Sequence, residues 1–100
     1  MPSTKISVPH TLTQSEATHR IQNLLQDLRS QLGNRIANVK ESWMDHGGEI
    51  SFDVMGFNIS GSVSVQINHV QLTGQIPMAA LPLKNKIETT IQERVEALLS

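Results

Sequence analysis

The sequence contains no cysteine and no tyrosine, and aromatic residues make up only 3% of its 100 positions. Without cysteine there is no disulfide framework and no thiolate metal site, a composition that suits a reducing compartment. With one tryptophan and two phenylalanines, the core has to be aliphatic. Charge is sparse as well. Charged residues are 17%, the formal net charge is -1, and the sequence pI is near 6.4. The basic footprint of a free-standing phosphate binder is missing, so nucleic acid is not an expected partner. No apolar run approaches the roughly 18 residues that a membrane-spanning helix needs. Met1 to Val8 has no apolar stretch of the kind a secretory leader carries. The expectation is a single cytoplasmic domain over residues 1–100, a length that supports one core without staples.

Catalytic patterns are missing too. The four histidines, His10, His19, His46 and His69, have neither the i, i+4 pairing nor the acidic context of a metal or hydrolytic site. Asp45, His46 and Glu49 are neighbours in sequence, but a polar turn explains them without a metal. No nucleophile elbow, phosphate-binding loop or paired carboxylates can be assembled. The sequence reads as a non-enzymatic protein with no cofactor and no metal.

What is present is alternation. From Phe57 to Asn68 every odd position is apolar or glycine and every even one small and polar. Neighbouring strand residues point to opposite faces, so this segment is a strand with one dry and one wet face. Lys5–His10 reads as a short first strand stopped by Pro9. Thr13-Gln14-Ser15-Glu16 has the form of a capping box, in which each end residue bonds the other's backbone. Ala17, Ile21, Leu24, Leu25, Leu28 and Leu32 then trace one stripe of a helix over about 14–32, closed by Gly33. Residues 35–44 form a second strand with Ala37, Val39 and Trp43 on one face, interrupted by Glu41. Asp45-His46-Gly47-Gly48 is a turn in which glycine supplies positive φ. Ile50, Phe52 and Val54 point inward from a third strand. The Phe57–Ile67 strand follows, then a turn at Asn68-His69, and a fifth strand with Val70, Leu72, Gly74 and Ile76 inward. Leu83, Ile87, Ile91, Val95 and Leu98 mark a closing helix. The order β-α-β-β-β-β-α predicts an α+β, two-layer fold. A curved, five-stranded, mainly antiparallel sheet has both helices on its apolar face.

Two surfaces can carry function. One is the wet sheet face, where Ser60, Ser62 and Ser64 stand beside Gln71, Thr73 and Gln75, flanked by Ser51 and Asp53. The other is the uncharged connector Ile76–Leu83, followed at once by Lys84 and Lys86, cations that oppose the dipole at a helix start. The binding candidates are Met78, Leu81, Leu83, Lys84 and Lys86.

Trp43, the glycine turn near Gly48, Glu49-Ile50-Ser51-Phe52, Gly56, Gly61, the Val63 and Val65 alternation, and Leu81-Pro82-Leu83-Lys84 before Ile87-Glu88 go together. In these the chain resembles the polyhydroxyalkanoic acid system proteins of bacteria, over nearly its whole length. In that pattern Leu83 takes a place that tends to be aromatic. The resemblance implies association with storage-polyester granules, and no defined reaction. The expected partner is then the granule surface or a granule protein. Two alternatives remain open. A helix-grip carrier of small hydrophobic ligands would need an interior pocket of roughly 300 Å³ or more, with Gly61 and Gly74 making room. A homodimer would form through an edge strand, with the first and second strands the candidates, or through the connector.

Overall fold

The computed structural model describes residues 3–100; Met1 and Pro2, which open the stretch read for a leader, lie outside them. The elements are β1 (Ser3–Pro9), α1 (Gln14–Ile21), α2 (Leu24–Leu32), β2 (Ile36–Met44), β3 (Gly47–Val54), β4 (Phe57–Val65), β5 (His69–Gln75) and α3 (Lys84–Leu99), with a 3-10 turn over Met78–Leu83. The sheet is antiparallel throughout, in the order β1-β5-β4-β3-β2. The first two strands are therefore the edges, as the sequence suggested. The helices connecting them cross the apolar face and pack there with α3.

β4 is central because its inward residues meet apolar partners on both sides. Ile59 lies opposite Phe52, and Val63 lies between Gly48 and Leu72. Ile59, Val63 and Val65 are buried among Ile6, Val8, Val70 and Leu72 from the sheet and Ile21, Leu24, Leu28, Ile87 and Val95 from the helices. The serines of the same strand face outward, half-buried or exposed.

Five local expectations need correction, the last at Gly47 and Gly48. The helix over 14–32 is two helices. Asn23 leaves helical geometry at φ -91, ψ 5, and its N–H bonds back to Arg20 in a tighter turn. Both segments keep their apolar stripes on the sheet, with Ala17 and Ile21 from one and Leu24, Leu25 and Leu28 from the other. The capping box is half made. Thr13 Oγ1 accepts from Glu16 N at 3.1 Å, but the Glu16 carboxylate turns to Arg20 at 3.0 Å. A competing charge on the next turn outbids a backbone N–H that water can satisfy.

In β2 a bulge between Ala37 and Lys40 changes the register. Ala37 therefore points away from Val39 and Trp43. Asn38 is the extra residue, at φ 52, a left-handed conformation that asparagine tolerates. Farther along, β4 ends at Val65, and Ile67 sits on the following loop, 78% exposed. The alternation runs on in sequence after the ladder has stopped.

Gly33, at φ 59, ends α2 as expected. Gly47 and Gly48 do not have positive φ, so their role differs from the one read in sequence. A Cβ on Gly47 would lie 2.5 Å from the Val63 carbonyl oxygen, and one on Gly48 would lie 2.7 Å from the Trp43 ring. The glycines are there for close approach. α2 and α3 are clasped by Arg94 Nε donating to Asp27 Oδ2 at 2.6 Å, a bond that holds the guanidinium above its ordinary pKa.

Candidate interaction surface

The chain leaves β5 at Gln75 and turns through a compact 3-10 segment. Ile76 and Ala80 are fully buried, and Ala80 N donates to the Pro77 carbonyl at 2.9 Å. These anchors fix the segment on the core and turn Met78 and Leu81 outward. Met78 is 70% exposed and Leu81 43%. Leu83 packs against the core, so it contributes little free surface. Lys84 is half-buried at the first position of α3, and Lys86 is exposed. No acidic residue occupies that first turn, and Leu83 makes no side-chain cap. An uncapped helix start carrying two cations costs a few tenths of a kcal/mol, up to about 1, per charge.

A second feature lies beside it. Leu28 and Leu32 of α2, Phe52 and Val54 of β3, and Ile87 and Ile91 of α3 line an apolar crevice of about 30 Å³. Met55, Thr90, Arg35 and Lys86 complete its lining, and no carboxylate is among them. Met55 is half of the two-residue turn Met55-Gly56, at φ 51 and 84, which joins β3 to β4. A turn with both residues at positive φ favours Asn-Gly. Methionine there costs roughly 1–2 kcal/mol in backbone conformation.

The packing beside Gly61 and Gly74 leaves no room for a carried ligand. The space between α3 and the sheet there is about 40 Å³, far below the roughly 300 Å³ of a ligand pocket. Gly61 and Gly74 pair directly across β4 and β5. A Cβ on Gly61 would lie 2.6 Å from the Thr73 carbonyl oxygen, so close strand approach explains the glycine there.

The outer sheet face is bare and polar. Ser51, Ser60, Ser62, Thr73 and Gln75 border a broad depression of about 490 Å³ that opens widely to solvent, with Lys40 and Glu49 among its walls. At its margin Asp53 accepts from Asn38 Nδ2 at 2.6 Å and from Asn58 Nδ2 at 2.9 Å. Those two bonds, Asn38's first, hold its carboxyl below the usual range. Asp45 and His46 form the β2–β3 turn and Glu49 stands on the outer face. Among the described residues no three His, Asp or Glu side chains gather as a metal site. His10 is buried in a structural clasp. Its Nδ1 accepts from Leu12 N at 3.1 Å, and its Nε2 lies 3.0 Å from the Gln66 carbonyl.

The family model described as "Putative polyhydroxyalkanoic acid system protein" matches residues 4–99. The chain belongs to this family. As a polyhydroxyalkanoic acid system protein, it has its connector and crevice wholly inside the matched span. None of the curated proteins matches it. Among solved structures it is similar to TTHA0849 from Thermus thermophilus, at 15% identity and a TM-score of 0.39, covering 98% of this chain and 92% of that one. It is also similar to Ara h 8.0201, at 8% identity and a TM-score of 0.49, covering 98% and 97%. Likenesses at that level carry no functional argument.

Of the five binding candidates, Met78 and Leu81 are presented together on one turn, and Lys84 and Lys86 follow on α3. The sequence did not indicate the crevice or the exposure of Met44, Met55 and Ile67. Met55-Gly56 held the available signal, an apolar residue where the turn wants asparagine. Both edges carry features that discourage strand pairing, Pro9 and Lys5 on β1 and the bulge with Lys40 and Glu41 on β2.

Proposed function

We propose that this polyhydroxyalkanoic acid system protein is a non-enzymatic accessory factor of polyester storage. In this reading it attaches, in the cytoplasm, to the apolar surface of a granule or to a protein coating it. Met78 and Leu81 enter the apolar phase, and Lys84 and Lys86 stay at its polar margin. The observation that carries the reading is the exposure of two large apolar side chains on a turn fixed by the buried Ile76 and Ala80. Covering the exposed part of each would contribute about 1–2 kcal/mol without a large ordering cost.

Co-sedimentation with polyester granules tests it. The wild type should pellet with granules, and Met78→Ser with Leu81→Ser should stay in the supernatant at least tenfold more. Granules stripped of protein by protease separate the two partners: retained binding indicates the polyester, lost binding a coat protein. Equal supernatant protein with and without native granules would refute the proposal.

A further inference from the structure

The crevice between α2 and α3 combines three properties. Its floor is apolar, its size is that of a single side-chain tip, and its charged lining is of one sign. At about 30 Å³ it is too small to enclose a ligand, yet it can take a methyl-bearing end offered from outside. Arg35 and Lys86 are both exposed. Neither takes part in the ion pairs formed among the described residues, which are Arg20–Glu16 and Arg94–Asp27. The chain as a whole is slightly acidic, so a lining with two cations and no carboxylate runs against its average. Met55, 43% exposed, lies against the same space. Its flexible thioether is the side chain best able to adjust around an incoming group. The two-residue turn sets its backbone conformation, which leaves the choice of methionine over asparagine to be explained.

We propose that this crevice docks an acidic segment of a partner protein, taking one aliphatic side chain into the gap while flanking carboxylates pair with Arg35 and Lys86. Charge complementarity selects acidic flanks, and the size of the gap selects a single leucine- or isoleucine-like knob over an extended acyl chain. The inference goes beyond the granule reading and does not rest on it, and its test contains no polyester.

The test is a titration of the uniformly ¹⁵N-labelled full chain, followed by amide chemical shifts. The probe is a seven-residue peptide with one leucine among glutamates. Saturable shifts should cluster on the end of α2, the Met55-Gly56 turn and the first two turns of α3. A peptide with serine for the leucine, or glutamines for the glutamates, should bind at least about tenfold more weakly. Arg35→Gln and Lys86→Gln should each weaken binding about two- to fivefold, as expected of solvent-exposed charge pairs. Thr90→Phe, which fills the gap without changing charge, should abolish the shifts. If that variant does not fold, the two exposed cation variants still decide. Shifts located elsewhere, no saturation, or equal affinity for the serine peptide would overturn the proposal.

Discussion

β4 and β2 are both nine-residue strands, and they behave differently. β4 lies at the centre of the sheet, and its buried and exposed residues follow the alternation of its sequence without a slip. β2 is an edge. One of its sides is free, so an extra residue can be accommodated at Asn38 without breaking a second ladder. The bulge turns Ala37 outward and keeps Val39 and Trp43 inward. A strand clamped between two neighbours must obey its period, whereas a strand held on one side can break it locally.

Substitutions can press on that difference, and the largest effect is expected at the centre. Val63→Asp places a carboxylate among the buried side chains of β4 and should cost more than about 4 kcal/mol, enough to unfold an ordinary domain. Val39→Asp on β2, where the site is only half-buried, should cost about 1–2 kcal/mol. Urea denaturation measures both, and equal losses would remove the distinction between centre and edge.

The next effect is expected at Gly61. An alanine Cβ would meet the Thr73 carbonyl oxygen at 2.6 Å and the Gly74 Cα at 3.2 Å. Both are backbone atoms in a paired strand, so Gly61→Ala should cost about 1–3 kcal/mol. An unchanged thermal midpoint would show that the central strands can shift apart.

At the edge, Asn38→Ala should cost about 1 kcal/mol, because alanine is strained at φ 52 and the bond to Asp53 is lost. Asn38→Gly should recover much of this by removing the strain. If the glycine variant were no more stable than the alanine variant in thermal melts, strain at φ 52 would contribute little and the lost bond to Asp53 would account for the cost.

The smallest effect concerns pH. Asp53 has its folded pKa lowered by Asn38 and Asn58. Its stabilisation is therefore present above the ordinary carboxylate pKa, near 4, and is lost as pH falls through the lowered folded value. NMR titration of the Asp53 carboxyl should show its midpoint rise in Asn38→Ala. A midpoint that stays in place would mean that Asn58 alone sets it.

The same contrast explains how much was legible beforehand. The alternation of β4 and β5 and the apolar stripes of the helices are period signals. They gave the layers, the antiparallel sheet and the bare hydroxyl face. The break at Asn23, the half-made cap at Glu16 and the bulge at Asn38 are single-residue decisions among options of nearly equal energy. Local pattern does not separate such options. Ile67 shows the same limit from the other side: its period is right, but the ladder has already ended. The connector was legible as an uncharged run. Its division into exposed Met78 and Leu81 and inward Ala80 and Leu83 depends on the wall it rests on. The crevice is assembled from α2, β3 and α3, segments far apart in the chain, so apart from Met55 in its turn no local pattern indicates it.

By itself the sequence determined which side of each strand and helix is dry, because side-chain direction follows from backbone period alone. Tertiary structure decided where periods stop, which apolar residues stay uncovered, and which cations share the crevice. Those outcomes depend on what stands opposite each residue, and that is set only when distant segments pack.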